Sequence, residues 1–204
     1  DLAMFHIEGA SKPVVAKPDP LTLVELALLM DASDPKWRAM WATGAGEGLR
    51  PSELIRIHWP DVRFDERLID IRGEKTDEAE ATIPLTPLAH RELRLWWVAC
   101  GQPSEGLAFP SRHKGRAYTE SGYREALKSA AERAGLERRI YPYLLRDSFA
   151  TIAWSLQIDI DVARRVMRHT NDKMLREVYC RPRPADLVEA VQAFDFTLAA
   201  PRPA

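Results

Sequence analysis

Two short segments in which apolar and polar residues alternate constrain the fold most. They are Leu68–Ile71 and Ala81–Leu85, and the polar stretch 73–80 between them begins at a glycine. Alternation with a period of two is typical of a β-strand with one buried face, and two such strands joined by a polar tip form an antiparallel hairpin. The apolar run Leu107–Phe109 predicts a short third strand.

The rest of the chain carries helix-start signals and helical apolar spacing. Thr22, followed three residues later by Glu25, is a capping box, and it predicts a helix over residues 21–30. Further helices are predicted over residues 35–45 and 51–57, from a cap at Thr86, from a cap at Thr119 to Gly135, over residues 145–156, and from a cap at Asp159 to Arg168. The predicted buried faces of the later helices are Ala89, Leu93, Trp96, Trp97 and Cys100; Tyr123, Leu127, Ala130 and Ala134; Leu145, Phe149, Ile152 and Leu156; and Val162, Val166 and Met167. We therefore expect a mainly α domain with a small antiparallel β-sheet, of the α+β class.

Composition excludes several classes of protein. Of 204 residues, 46% are hydrophobic and 29% charged, which is typical of a folded domain with its own core. No apolar run approaches the ~18 residues of a transmembrane helix, so no membrane partner is expected. The two cysteines, Cys100 and Cys180, lack the spacing of a metal site, which excludes a zinc finger and fits a reducing cytosol.

Charge is segregated along the chain although its net value is only −1. Residues 1–111 hold 12 Lys and Arg against 18 Asp and Glu, residues 112–183 hold 16 against 9, and residues 184–204 hold 1 against 3. A basic segment of this kind indicates an anionic partner on one side of the molecule. A solvated surface of mixed charge is the alternative interpretation.

Single residues give weak functional signals. Arg50, in the segment GLRPSEL, lies at the start of a predicted helix, and Glu53 is placed to hold its guanidinium. Arg146, in YLLRDSFAT, lies off the predicted apolar stripe near the start of its helix. His169 ends a helix and Tyr179 follows ten residues later. Taken alone, these would be surface ion pairs, a helix-terminal cation and a core tyrosine.

Together, these features resemble the catalytic domain of the tyrosine recombinases, the phage integrase family. The resemblance rests on GLRPSEL, a lysine-bearing hairpin, LLRDSFAT, a helix ending in histidine and a later tyrosine, and it covers about residues 20–195. It implies a mainly α domain with a small sheet, preceded in the family by a separate N-terminal DNA-binding domain. We accordingly predict that residues 1–18 are the end of a linker, 19–183 the catalytic domain and 184–204 a tail helix.

The resemblance also implies a reaction that needs no metal, cofactor or ATP. Tyr179 would attack a DNA phosphodiester, leaving a 3′-phosphotyrosyl bond and a free 5′ hydroxyl, and the reverse step would rejoin strands. Arg50 and Arg146 would bind the nonbridging oxygens, and His169 would donate to the phosphate. Lys75, on the hairpin, would protonate the leaving 5′ oxygen.

The chain departs from the family pattern at two positions of the predicted site. Tyr143 stands where the family commonly has histidine, and tyrosine is a poor base at neutral pH because its ordinary pKa is about 10. Arg168 replaces the glycine that usually precedes the second histidine. A DNA-binding module of the same fold with impaired catalysis is therefore an alternative. A metal-dependent nuclease using Asp159 and Asp161 is a weaker one, because no third acid clusters with them in the sequence.

Partners and location follow from the resemblance. We expect double-stranded DNA with specific recombination sites as the substrate, and self-association into a tetramer on DNA, with a monomer in isolation. DNA integration by a phage or mobile element implies the cytoplasm of a bacterium. In the predicted tail, Leu187, Val191, Phe194 and Leu198 recur at helical spacing, which suggests a face that packs on a neighbouring protomer.

Overall fold

The structure is a computed structural model that describes residues 19–72, 81–112 and 115–168. Its elements, in chain order, are α1 (Leu23–Asp31), α2 (Pro35–Gly46), α3 (Pro51–Leu54), a 3₁₀ turn (Trp59–Asp61), β1 (Val62–Arg63), β2 (Leu68–Ile71), β3 (Ala81–Pro84), α4 (Pro87–Ala99), α5 (Glu120–Arg133), α6 (Leu144–Ser155) and α7 (Ile160–Met167).

The predicted class, mainly α with one small antiparallel sheet, is confirmed. The predicted linker end 1–18 and tail 184–204 lie outside the described residues. No helix in the described segments is long and apolar enough to cross a membrane.

The sheet has three strands in the order β1-β2-β3, with both pairs antiparallel. The predicted hairpin of β2 and β3 is confirmed. The predicted third strand at residues 107–109 is wrong, because Leu107 makes only an isolated bridge with His58, and β1 is the third strand. The apolar run that suggested a strand is explained by the core instead, because Ala108 and Phe109 are fully buried there. A two-residue strand such as β1 is too short to show alternation in the sequence.

Local capping chemistry begins the helices where the sequence predicts. The Thr22 hydroxyl accepts from the backbone N–H of Glu25 at 3.2 Å, and the Glu25 carboxylate accepts from the N–H of Thr22 at 2.8 Å. Thr86, Thr119 and Asp159 cap α4, α5 and α7 through their side-chain oxygens. Each cap satisfies N–H groups that have no partner within the helix, so it fixes where the helix begins.

The core is built around α2, which contacts α1, α3, α4 and α6. Four consecutive residues of α2, Ala39–Ala42, are completely buried. The third predicted helix is shorter than expected and ends at Leu54, and Ile55 and Ile57, which follow it, are buried in the same core. Cys100, predicted to face the core, lies at the C-terminal cap of α4 and is exposed.

Helices α6 and α7 pack through the predicted Met167 and Phe149, but also through alanines that the pattern does not predict. Ala150, Ala153, Ala163 and Met167 form a buried cluster between them. The predictions that Leu156 and Val162 are buried are wrong, since these side chains are 59% and 52% exposed. Alanine side chains allow the two helices to approach closely. The buried face of each helix is therefore rotated relative to the predicted one.

Two contacts fix α6 against earlier parts of the chain, and the second also involves α7. The Ser148 hydroxyl accepts from the N–H of Leu21 at 2.8 Å, which ties the start of the described chain to α6. Gly48 has a φ of +57°, and a Cβ there would lie 2.9 Å from Phe149 and 3.0 Å from Met167. Only glycine combines this backbone conformation with such a close approach. The approach brings the start of α3, the start of α6 and the end of α7 together.

Candidate active site

Arg146 lies at the centre of this junction. Its side chain is only 3% exposed, and its guanidinium donates to the backbone carbonyl of Gly48 and, at 2.7 Å, to that of Met167. Its position in the first turn of α6 is as predicted, but it is buried because these carbonyls replace water. Burial, followed by the proximity of Arg50, lowers the pKa of Arg146 to about 10, so it remains a cation at neutral pH.

Arg50 reaches the same junction from the start of α3. The predicted ion pair is confirmed, with 2.7 Å between Arg50 Nη1 and Glu53 Oε1. The other carboxylate oxygen of Glu53 accepts from the backbone N–H of Arg50, also at 2.7 Å. The Arg50 side chain is 35% exposed, so its guanidinium is held on one side and accessible on the other.

Arg168 is a third arginine at the junction, and sequence reasoning assigns it no role. It caps the end of α7 in the left-handed conformation, with a φ of 51°. Its guanidinium forms an ion pair with Glu53 and donates to the carbonyl of Val166 at 3.0 Å. Its own carbonyl lies 3.4 Å from Arg50 Nη2. The only feature of the sequence that distinguishes this position is the arginine itself, because the family that the chain resembles usually has glycine there.

Glu47 is a buried carboxyl beside this cluster, and no sequence pattern points to it. One of its oxygens accepts from the backbone N–H of Thr86 at 2.7 Å and from the Thr86 hydroxyl at 3.0 Å. Burial raises the pKa of Glu47 to about 7, although the Thr86 hydrogen bonds and the charge of Arg168 oppose the rise. Glu47 therefore connects the end of α2 to the start of α4 and changes its charge near neutral pH.

The cluster is strongly positive. With Glu47 protonated, Arg50, Arg146 and Arg168 carry three positive charges against one negative charge on Glu53, a formal net of +2. Fixed guanidinium donors from separate elements form a preorganised site for a tetrahedral oxyanion. Tyr143, at the N-cap of α6, is 49% exposed and close enough to Arg146 to affect its pKa.

The structure thus brings together three of the six predicted site residues, Arg50, Tyr143 and Arg146. Lys75, His169 and Tyr179 lie outside the described residues. For two of them, the neighbouring described residues are known. The segment that contains Lys75 follows Arg72, whose guanidinium pairs with the buried Asp61. His169 directly follows Arg168.

The two acids of the alternative nuclease site have other partners. Asp159 Oδ1 accepts from the backbone N–H groups of Asp161 and Val162, at 2.8 and 3.2 Å, and so caps α7. Asp161 lies 3.5 Å from the guanidinium of Arg164. Within the ranges 19–72, 81–112 and 115–168, no three metal-ligating side chains cluster. These contacts account for both acids through helix capping and charge pairing.

Known proteins are similar to this chain in sequence and in fold. The tyrosine recombinase XerC of Shewanella sp. (strain W3-18-1) is 26% identical over 178 residues, covering 83% of this chain and 58% of the relative. XerC of Xylella fastidiosa (strain 9a5c) is also 26% identical, over 134 residues that cover 66% of this chain and 45% of the relative. The chain therefore spans about half the length of these relatives.

Solved structures confirm the predicted catalytic-domain fold. The XerA recombinase superposes with a TM-score of 0.76 and 20% identity, covering 96% of this chain and 68% of that one. The XerH site-specific recombinase bound to palindromic difH substrate, in a post-cleavage complex, superposes with a TM-score of 0.68 and 21% identity, covering 86% and 53%. Residues 21–185 also match the sequence model of the phage integrase family. Since that match covers well over half of the chain, the chain belongs to the phage integrase family.

Proposed function

We propose that this chain is the catalytic part of a tyrosine-type site-specific recombinase, which cleaves and rejoins DNA strands through a 3′-phosphotyrosyl intermediate. Membership of the phage integrase family supports the reaction class. The observation that carries the proposal is the convergence of Arg50 and Arg146, which lie 96 residues apart in the sequence (146 − 50) and reach one junction. Two guanidinium groups that meet at one place can bind the same phosphate group.

The charge of the site suits phosphoryl transfer without a metal ion. A phosphodiester carries one negative charge and gains a second as the nucleophile adds. Carbonyls of Gly48 and Met167 fix the plane of the Arg146 guanidinium, and Glu53 fixes that of Arg50. Donors fixed in advance stabilise the developing charge without the cost of reorganising during the reaction. A guanidinium has five N–H donors, so these contacts are compatible with bidentate binding of phosphate.

The remaining roles follow the family pattern. The Tyr179 hydroxyl would lose its proton to solvent, and its oxygen would attack phosphorus, forming the phosphotyrosyl bond as the P–O5′ bond breaks. Lys75 would supply the proton that the 5′ oxygen takes up. His169, next to Arg168, would donate to the phosphate. Tyr143 would donate a hydrogen bond at the exposed start of α6. Rejoining is the reverse, with a 5′ hydroxyl of the partner strand as the nucleophile.

The environment of Tyr141 argues against it as the nucleophile. Burial, followed by the charge of Asp147, raises the pKa of Tyr141 well above its ordinary range. Because the phenolate is the reactive form, a higher pKa makes nucleophilic attack less favourable. This supports the assignment of the nucleophile to Tyr179 rather than to Tyr141.

The proposed partners are double-stranded recombination sites and further copies of the chain. The basic composition of residues 112–183 supports DNA binding, and the XerH neighbour is bound to palindromic difH substrate. We extend to this chain the expectation of a tetramer on DNA and a monomer in isolation, with residues 184–204 as the packing tail. The bacterial relatives support a cytoplasmic location in a bacterium or a bacterial host.

The test is covalent capture of DNA. The 204-residue chain is incubated in EDTA with a pool of nicked suicide duplexes whose arms are randomised, and SDS-resistant complexes are recovered and sequenced. We expect enrichment of one duplex family with the wild-type chain and no covalent complex with Tyr179→Phe, which removes a single oxygen. If the wild type retains duplexes under native conditions but yields no SDS-resistant complex, the impaired DNA-binding module, which the replacement of histidine by Tyr143 favours, is the correct function.

A further inference from the structure

Glu53 is shared by two arginines. Arg50 Nη1 lies 2.7 Å from one carboxylate oxygen, and the guanidinium of Arg168 pairs with the other oxygen. The residues that meet here are far apart in the chain, since Arg168 is 115 positions from Glu53. The side chains of Arg168 and Glu53 are 5% and 7% exposed, so this second pair is almost fully desolvated.

Arg168 changes the net charge of the phosphate site. With Arg50 and Glu53 paired alone, the carboxylate would cancel most of the charge that Arg50 presents. A second cation on the same carboxylate offsets that cancellation. The buried Glu47 also acts electrostatically on Arg168, which therefore lies between two acids. With Glu47 protonated, Arg50, Arg146 and Glu53 alone would sum to a formal charge of +1, and Arg168 raises the sum to +2.

Stability alone does not explain an arginine at this position. The residue has a left-handed backbone, with a φ of 51° and a ψ of 48°, which an L side chain adopts only at a cost in free energy. Burying the charged pair adds a desolvation cost. Other residues of the chain also adopt this conformation, but at Arg168 it occurs together with a buried charge beside the two arginines of the proposed phosphate site, and that combination favours a functional requirement.

We propose that Arg168 is a positioning residue of the phosphate site, which neutralises Glu53 and so leaves the charge of Arg50 available to the transition state. This inference rests on the proposed function of Arg50 and Arg146. The Arg168 carbonyl, 3.4 Å from Arg50 Nη2, restrains Arg50 from the same turn. The geometry therefore couples the end of α7, which leads directly into His169, to the charge state of Arg50.

The test compares substitutions that change charge while keeping an L side chain at residue 168. Single-turnover cleavage of the enriched suicide duplex should slow about 10- to 100-fold in Arg168→Gln and recover to within about 5-fold in Arg168→Lys, because lysine restores the charge. The dissociation constant for that duplex should change less than about 3-fold, because one charge among many phosphate contacts contributes little. A glutamine variant that cleaves at the wild-type rate, or a lysine variant no faster than glutamine, would overturn the proposal.

Arg67 provides the matched control. It is an exposed arginine with a φ of 56° in the turn between β1 and β2, so Arg67→Gln makes the same chemical change in the same backbone conformation. We expect Arg67→Gln to cleave like the wild type. A slowing equal to that of Arg168→Gln would show that the effect is one of overall charge and would overturn the assignment to residue 168.

A measurement that does not depend on catalysis separates this inference from the proposed function. Inorganic phosphate at tens of millimolar should raise the thermal midpoint of the wild type and of Arg67→Gln more than that of Arg168→Gln, because ligand binding to the native state stabilises it. If the wild type forms no covalent complex, the proposed function fails, and the phosphate shifts still test the electrostatic role. Equal shifts in all three proteins would overturn that role.

Discussion

At the scale of single residues, buried ionisable groups distinguish this site from an ordinary surface. The sequence pattern places Arg146 off the apolar stripe, and by that criterion alone it would be a surface arginine. It is buried because its N–H groups donate hydrogen bonds to the carbonyls of Gly48 and Met167. These residues lie 98 and 21 positions away in the chain. Such partners cannot be inferred from spacing in one sequence. The local pair of Arg50 and Glu53 is predictable, because residues three apart lie on one helix face.

Glu47 gives a prediction of pH dependence at this scale. Burial raises the pKa of Glu47 from 4.5 to about 7, so the folded chain holds this proton more tightly than the unfolded chain. The resulting stabilisation is complete below pH 4.5, is lost as the pH rises to about 7, and does not return above it. Its upper limit is about 3 kcal/mol.

The variant Glu47→Gln keeps a carbonyl oxygen for Thr86 and removes the ionisation. We expect the free energy of unfolding of the wild type to fall between about pH 5 and pH 8 by up to ~3 kcal/mol more than that of the variant. Urea titrations of both proteins at the two pH values measure this difference. Parallel pH profiles for the two proteins would show that Glu47 does not titrate in this range.

At the scale of secondary-structure elements, the site depends on how closely α6 and α7 approach the segment before α3. Gly48→Ala places a methyl group 2.9 Å from Phe149 and 3.0 Å from Met167, at a φ of +57°. We expect a loss of about 2–4 kcal/mol in the free energy of unfolding, part from the left-handed backbone and part from overpacking. Urea unfolding measures the loss.

Gly135→Ala separates these two contributions. Gly135 has a φ of +69°, and no atom lies within 4 Å of the position that a methyl group would take there, so the substitution adds backbone strain without a steric clash. We expect it to cost about 1 kcal/mol. If the two variants are equally destabilised, the close approach at Gly48 contributes nothing, and the account of how the three elements converge is wrong.

Secondary-structure elements differ in how well the sequence predicts them. Caps at Thr22, Thr86, Thr119 and Asp159 and the β2–β3 hairpin are predicted correctly, because each depends on residues a few positions apart. The strand β1 is missed because two residues carry no periodicity. The α6–α7 contact is predicted only in part: Met167 and Phe149 take part as expected, but three alanines complete it, whereas the pattern favours large apolar residues there.

At the scale of the whole molecule, the segregation of charge predicts how DNA binding responds to salt. Residues 112–183 hold 16 basic residues against 9 acidic ones, whereas residues 1–111 have the opposite balance. If the basic segment faces DNA, binding releases counterions, and the logarithm of the affinity should fall linearly with the logarithm of salt concentration. A slope of about −4 to −6 corresponds to some five to seven phosphate contacts. Fluorescence anisotropy on the enriched duplex at several salt concentrations measures it, and a slope near zero would contradict this placement.

The proposed reaction attaches DNA covalently to Tyr179 through a 3′ phosphate and needs no metal ion. The most direct test is mass spectrometry of the covalent complex formed in EDTA, after protease and nuclease digestion. We predict one nucleotide linked through its 3′ phosphate to the peptide that contains Tyr179, and a free 5′ hydroxyl on the released strand. Cleaved DNA with no attached protein, cleavage that requires Mg²⁺, or a nucleotide linked to another residue would contradict the account.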